Sequence, residues 1–431
     1  MYFSEIKKQI KTYNRRSIIL LTGKLSLLSL LGWKLFDLQI IKSNKYKIES
    51  KSNQISIEII YPLRGEIKDR NNIKLATNIK TYDLYLIPEQ SEDINKTLNN
   101  LDKLIEIDFT KKRKVIELSK KIKKFERIQI FENLSWQDLE LIQSNLNELP
   151  GLHLILSPKR IYPYSNYFSH ILGYINKPTK EEINLPYISN MPSLDIGKTG
   201  IEKYKNESLV GLPGKREIEV NAFGREIREI NVESSQQGSE INLTIDSRIQ
   251  KFASNELNNH KAGSVVVMDV NSGEIIAMTS APNYNPNLII SKPNQKYWDS
   301  IINNTLSPLT HRSVQGLYSP GSTFKMIVAL AGLKKNLINL NDKALCSGKI
   351  EFGDRLYHCW KTKGHGLVNM DNAIKESCDV FFYELSKKVG IDDIAKMAFE
   401  FGLGQKFDFG FENEKKGIIP SKKWKKTTLG E

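Results

Sequence analysis

Ser322 and Lys325 lie in the stretch Tyr318-Ser319-Pro320-Gly321-Ser322-Thr323-Phe324-Lys325, which runs into the apolar segment Met326-Ile327-Val328-Ala329-Leu330. Pro320 and Gly321 break whatever precedes them, so the stretch reads as a tight turn feeding a buried helix, with Ser322 where the helix starts. Three residues apart on a helix, the hydroxyl and the amine share a face and can meet. A serine is a weak nucleophile until a base takes its proton. A lysine serves as that base only when neutral, and burial against an apolar helix favours the neutral amine. Backbone N–H groups at a helix start can hold a developing oxyanion. The chemistry implied is nucleophilic attack by Ser322 with Lys325 as its base. The same tetrapeptide also fits an ordinary N-cap serine followed by a solvated lysine. It recurs at Ser4-Glu5-Ile6-Lys7, so the pattern alone does not decide.

The chain has three cysteines, and all fall in one window after Ser322. With His365 the order is Cys346, Cys359, His365, Cys378, or C-x12-C-x5-H-x12-C. Three thiolates and one imidazole make a closed tetrahedral set of the kind that holds structural Zn²⁺. One disulfide with an odd thiol, or three plain buried cysteines, also fits this spacing. His358, next to Cys359, is a substitute ligand.

The elements that must position these groups begin near residue 236, where the texture changes. Ile241–Asp246 reads as a strand and Ser247–Asn258 as a helix. Ala262–Asp269 and Ile275–Ser280 read as a hairpin closed by Asn271-Ser272-Gly273-Glu274. A loop and the Ser322 helix follow, so this half is an α/β enzyme domain. From about 41 to 235 the chain is strand-rich with helical insertions. Gln54–Tyr61 and Tyr82–Pro88 predict strands. Asn95–Ile105 and Lys111–Phe125 predict charged, solvated helices. The Arg and Asp of Arg64-Gly65-Glu66-Ile67-Lys68-Asp69-Arg70 would most simply form structural ion pairs. Lys198-Thr199-Gly200 spells a tripeptide used by serine acyltransferases, but it precedes Ser322 by over a hundred residues and reads as a loop.

The 431 residues have room for two or three domains. A formal charge of +14, from 63 Lys+Arg against 49 Asp+Glu, raises nucleic acid as a partner. The basic residues are scattered and do not alternate with aromatics, which excludes a stacking platform. A basic surface near anionic lipid fits better. Residues 1–16 carry Lys7, Lys8, Lys11, Arg15 and Arg16, and 17–38 is mostly apolar, with Lys24 near mid-span. That run is long enough to cross a bilayer. No small-residue cleavage site follows it, so it predicts an uncleaved anchor with its basic flank cytoplasmic and the bulk outside.

With these motifs in order the chain resembles a class B penicillin-binding protein, of the elongation-type penicillin-binding protein 2 group of peptidoglycan D,D-transpeptidases. The resemblance rests on Arg64-Gly65 with Asp69-Arg70-Asn71 and Leu75-Ala76, then Gly173-Tyr174, Gly200-Ile201-Glu202, Leu243-Thr244-Ile245-Asp246, Ala262–Asp269 and Tyr318–Lys325. It implies that Ser322 is the acylated nucleophile and Lys325 its base. Ser377-Cys378-Asp379 stands where the family has S-x-N, so Ser377 would relay a proton toward the leaving group, with Asp379 in place of the usual Asn. The implied ligands are a stem peptide ending in D-Ala-D-Ala and β-lactams, with no cofactor needed for catalysis. The implied partners are a SEDS-type polymerase and rod-shape scaffold proteins in the same membrane. Some relatives hold a metal near the cysteine window, where it would brace the loop carrying Ser377.

The resemblance implies a membrane-anchored multidomain α+β fold: cytoplasmic tail 1–16, transmembrane helix 17–38, an elongated strand-rich pedestal or dimerisation domain 41–235, and an incomplete α/β serine transpeptidase domain 236–431. The family's third motif, Lys-Ser/Thr-Gly on the strand flanking the cleft, is not found after Ser377. The expectation is a fragment or an early-ended reading frame whose sheet exposes an unpaired edge. On that expectation a membrane-anchored scaffold without turnover, activating the polymerase, is the alternative to an active enzyme.

Overall fold

A computed structural model describes residues 2–42, 55–185, 188, 191, 194–221, 226–290, 295–407 and 409–430; for residues 2, 4–14, 16 and 429 it describes the backbone alone. The side chains of the second Ser-x-x-Lys match, Ser4 and Lys7, and all of Gln54 of the first expected strand lie outside what it describes. The N-terminal helix Tyr2–Phe36 runs into a π-turn, Asp37–Ile41. Its segment Ser17–Ile41 has mean hydropathy 1.5 and is not covered by the rest of the protein. At ~1.5 Å per residue it is long and apolar enough to cross a bilayer core of ~30 Å. Lys24 is exposed on it.

The chain forms two compact units. The first comprises Met1–Arg64, Asn78–Lys159 and Val210–Gly238. Its antiparallel sheet joins Ile55–Ile60 to Gly214–Val220, and that strand to Glu226–Glu233, with Ile57 opposite Glu217 and Glu217 opposite Asn231. A separate core packs Leu84 and Leu86 against Leu98, Leu101, Ile130 and Ile142. The helices around this core start where the sequence supplies caps. Asp93 accepts the N–H groups of Asn95 and Lys96 ahead of Ile94–Leu104, and Ser135 accepts that of Asp138 ahead of Trp136–Ser144. The second expected helix is Phe109–Lys121, shorter than the predicted Lys111–Phe125 at its C-terminal end. It stops where Lys120, Lys121, Lys123 and Lys124 would stack like charges one turn apart.

The second unit comprises Gly65–Thr77, Arg160–Leu209 and Ser239–Glu431. Ile67, Leu75, Tyr162, Phe168, Leu172, Ile201, Leu209, Ile245 and Met278 share one core. The expected strand Ile241–Asp246 shrinks to Ile241–Asn242, parallel to Ile67–Lys68. Asp246 is instead the N-cap of the helix Ser247–Leu257, accepting from Arg248 and Ile249 N–H; a capping aspartate ends the strand early. The hairpin forms between Gly263–Met268 and Ile275–Ala281, with Val265 opposite Thr279 and Gly273 at φ +76 in its turn. Val266, Val267 and Met268 of its first strand are exposed.

Asp69 departs from the expected ion pair. It is buried, and its oxygens accept main-chain N–H groups of Asn71, Ile73 and Ser247 at 2.8–3.1 Å. Those bonds hold its carboxyl below the ordinary range even though burial pushes the other way. Arg70 pairs with Glu274. A buried ion pair, Arg160 with Glu202 at 2.8 Å, also takes in the Tyr162 hydroxyl and the Gly65 carbonyl.

Candidate active site

Gly321–Phe324 is a 3₁₀ turn, and the α-helix proper is Lys325–Lys334. Ser322 therefore sits one turn ahead of the helix rather than at its first residue. In a 3₁₀ turn residues i and i+3 eclipse, which keeps Ser322 above Lys325. Gly321 takes φ +58, so the sharp entry falls on a glycine and not on the serine. The helix buries Ile327, Val328, Ala329 and Ala331 against Phe381, Phe382 and Leu385 and leaves Met326 and Leu330 outside.

Ser377 lies between the helices Met370–Lys375 and Asp379–Val389. Its N–H bonds to the Ile374 carbonyl, and the Cys378 N–H to that of Ala373. This pair of bonds is a Schellman close, whose left-handed position usually holds glycine. Here Ser377 occupies it, at φ +51. Glycine would serve the backbone better, and the serine places a hydroxyl at this strained position.

The side chains meet as a relay. Lys325 Nζ donates to Ser377 Oγ at 3.0 Å, and the Ser377 hydroxyl donates to Ser322 Oγ at 2.7 Å. The lysine reaches Ser322 through Ser377; among the described residues no direct hydrogen bond joins Lys325 to Ser322. Nζ also donates to the Ser377 carbonyl at 2.8 Å and to Asp379 Oδ1 at 2.6 Å, which uses all three ammonium hydrogens. The Lys325 side chain is only 14% exposed, not open to bulk water. Ser322 itself is exposed and accessible to a substrate.

Asp379 explains its own departure from asparagine. Oδ1 takes Lys325 and Oδ2 takes the Trp360 main-chain N–H at 3.0 Å. An amide could accept at only one of those positions. Burial alone would raise the Asp379 carboxyl, but the bonds from Lys325 and Trp360 outweigh it and hold the group below the usual range. Its place at the first turn of a helix favours the charged form as well.

Cys346, Cys359, His365 and Cys378 converge, with one donor atom from each lying within 4.8 Å of the others. His365 Nδ1 faces Cys346 Sγ at 3.6 Å and Cys359 Sγ at 3.5 Å. The three thiols are unlinked and buried. A tetrahedron with bonds of ~2.3 Å to sulfur and ~2.0 Å to nitrogen has donor separations of about 3.5 Å to 3.8 Å, which the two separations from His365 match. His365 Nε2 is buried, has no hydrogen bond among the described residues and faces the Glu376 carboxylate at 3.6 Å, the arrangement in which a carboxylate orients a ligating histidine. Burial raises the Cys359 thiol, but N–H groups of Lys361, Asp379 and Val380 more than reverse that, holding it below its ordinary value. Burial, reinforced by the Cys346 and Cys359 sulfurs, pushes Cys378 up to about 12. Two glycines let the loops approach: a Cβ on Gly348 would stand 2.1 Å from the Thr362 carbonyl, and one on Gly364 2.1 Å from that of Cys346.

The structure places the remaining candidates elsewhere. His358 ends the exposed strand Arg355–His358 and is not one of the four converging donors. Lys198 pairs with Glu182, and Thr199 precedes the short helix Gly200–Tyr204. Trp360 and Glu376, which touch both the relay and the ligand cluster, went unremarked in the sequence. A tryptophan directly after a ligand cysteine was the available signal.

A serine at the head of a buried helix, joined to a lysine one turn on through a second serine, is an arrangement that can carry serine acyl transfer. Residues 59–243 match the family model for the penicillin-binding protein dimerisation domain, and residues 263–430 that for the penicillin binding protein transpeptidase domain. The chain belongs to the penicillin-binding proteins, in the penicillin-binding protein 2 group. It is 31% identical over 433 residues to the peptidoglycan D,D-transpeptidase MrdA of Escherichia coli (strain K12), covering 98% of this chain and 68% of that protein. With MrdA of Acinetobacter baumannii the identity is 30%, covering 98% and 63%. Among solved structures, penicillin-binding protein 2 of Helicobacter pylori in complex with MreC superposes with a TM-score of 0.77 at 28% identity, covering 88% of this chain and 70% of that one. Pseudomonas aeruginosa PBP2 in complex with WCK 5153 gives 0.62 at 27%, covering 87% and 63%. The chain spans about two thirds of the length of these relatives.

Proposed function

We propose that the chain is a peptidoglycan D,D-transpeptidase that cross-links stem peptides ending in D-Ala-D-Ala during cell elongation. The observation that carries this is the continuous relay from Lys325 through Ser377 to Ser322, at 3.0 Å and 2.7 Å. Ser322 Oγ attacks the penultimate carbonyl and its proton passes along the relay. For Lys325 to act as base it must first give up one of its three donated hydrogens, and the one on Ser377 Oγ lies on the route. The C–N bond to the terminal D-Ala breaks, and Ser377 delivers a proton to that leaving amine. An amine from a neighbouring strand then attacks the ester, releasing Ser322 and forming the cross-link. A β-lactam opens its own C–N bond by the same attack, leaving an ester on Ser322 and a proton on the lactam nitrogen.

Cys346, Cys359, His365 and Cys378 would hold a structural zinc ion, which when bound supplies rigidity to the loop carrying Ser377. Residues 1–16 would be cytoplasmic and 17–38 membrane-spanning, with 41–235 serving as pedestal and 236–431 as transpeptidase portion, a division of labour along the chain in an inner membrane. A rod-shape scaffold of the MreC kind, as in the Helicobacter complex, and a SEDS-type polymerase are the partners this role calls for.

The test is labelling of the full chain with a fluorescent penicillin. A band that disappears in Ser322→Ala supports the enzyme. A folded wild-type chain with no band at any concentration overturns it in favour of the anchored scaffold.

A further inference from the structure

Trp360 bridges the two sides of the left-handed serine. Its main-chain N–H donates to Asp379 Oδ2 at 3.0 Å, and its indole N–H donates to the Glu376 carbonyl at 2.9 Å. Glu376 immediately precedes Ser377, and Asp379 follows it by two residues. The Glu376 carbonyl belongs to the cap of Met370–Lys375, where helix carbonyls lack intrahelical partners. The indole supplies one. The ring itself is 65% exposed, so burial of the tryptophan is not what keeps it there. Its edge-on contact is with His365, centroids 5.5 Å apart. Its neighbour Cys359 is buried, and the Cys359 N–H is bonded to the Gly348 carbonyl at 2.9 Å. The ligand cluster thus anchors one end of Trp360, and the other end holds a backbone that a serine would not adopt unaided.

We propose that Trp360 is a positioning residue for acyl transfer: by clasping Glu376 and Asp379 it fixes Ser377 in the conformation that joins Lys325 to Ser322. This rests on the transpeptidase reading. It assigns the ring no contact with substrate; the effect runs through Ser377. A loosened Ser377 would rotate its hydroxyl out of the relay while leaving the cleft and its affinity intact. The loss should therefore fall on the chemical step.

Trp360→Phe keeps the ring and the main-chain N–H and removes only the indole donor. The full chain is reacted with a fluorescent penicillin over a concentration series that separates the first binding constant from the acylation rate constant. Loss of one hydrogen bond predicts a roughly five- to tenfold slower acylation with initial binding unchanged. Amide hydrogen exchange read on the same variant should show faster exchange at Ser377 and Cys378, with the interior of Asp379–Val389 unaltered. Acylation within twofold of wild type with unchanged exchange overturns the proposal. So does weakened initial binding at an unchanged acylation rate, which would make the ring a substrate contact. If wild type is not acylated, the transpeptidase reading fails while the exchange measurement still decides whether Trp360 clasps Ser377.

Discussion

Ser322 and Ser377 carry hydroxyls 2.7 Å apart, yet the backbone beneath them is built in opposite ways. At the first, Gly321 takes the positive φ and Ser322 is left in ordinary helical geometry. At the second, the serine itself takes the positive φ, at +51. The first turn needs little outside help: the Thr323 hydroxyl donates back to the Pro320 carbonyl at 2.6 Å, and that closes it. The second is held by two Schellman bonds, by Lys325 on its carbonyl, and by Trp360 on either side. A nucleophile must be exposed and unstrained enough to be acylated and released. A relay must be immobile. The two turns divide those requirements between them.

The sharpest way to break this contrast is at the proposed nucleophile and base. Lys325→Ala should slow acylation by at least ~10³-fold, since it removes the proposed base and the centre of the Ser377 contacts; the acylation rate with a fluorescent penicillin measures it. Next, Cys346→Ser should lower bound zinc from about one per chain, read by metal analysis, and lower the melting temperature by several degrees. The first turn, which uses none of the four ligands, should not be what melts. Ser377→Gly and Ser377→Ala should both slow acylation by ~10²-fold by removing the same hydroxyl. They should differ in stability, with the glycine variant more stable by ~1 kcal/mol in a denaturant titration, because only the second turn asks a non-glycine residue for a left-handed backbone. At Gly321 the same preference holds with glycine already in place: Gly321→Ala should be less stable than wild type. Asp379→Asn should slow acylation by about tenfold or less, since one of two donors loses its acceptor.

The smallest effect lies away from the relay. His170 and His311 stack at 5.5 Å in the second unit. Burial pushes their pKa values down to about 4 and about 3, with each further lowered by a nearby group, Arg312 for His170 and His170 for His311. A histidine whose folded value is depressed stays neutral in the native state. Its contribution to stability is whole above the unfolded value of ~6.5 and is lost as pH falls through the window down to about 4. The melting temperature should fall across that window, and His170→Gln should flatten the slope.

Much of this was readable in the residues before any coordinates. The helix after Asp246 and the hairpin turn with Gly273 were legible, whereas the capping roles of Asp93, Ser135 and Asp246 came only with the structure. The order of Cys346, Cys359, His365 and Cys378 displayed a candidate metal-binding set, because metal-binding side chains are restricted to few residue types. What stayed hidden depends on distant partners. Ile241–Asp246 looks like a strand, and only the approach of Ile67–Lys68 shows how little of it pairs. Asp69 looks like half of an ion pair, and only Ser247 beside it reveals a carboxylate serving backbone donors. Ser377 gives no local hint of its backbone, since a serine at a helix end is unremarkable. Trp360 acts through a main-chain N–H and an indole N–H, neither of which leaves a pattern in spacing.

The unit that carries Ser322 is threaded from three separated stretches, Gly65–Thr77, Arg160–Leu209 and Ser239–Glu431. A protein expressed from residue 236 onward would lack the Ile67–Lys68 ladder, the Asp69 carboxylate and the Arg160–Glu202 pair. Such an excised piece would begin life with an open flank and orphaned amides at Ser247, and would be expected to aggregate. Soluble versions should be cut between the apolar N-terminal helix and residue 55 instead, so that all three strands of the weave are inherited together.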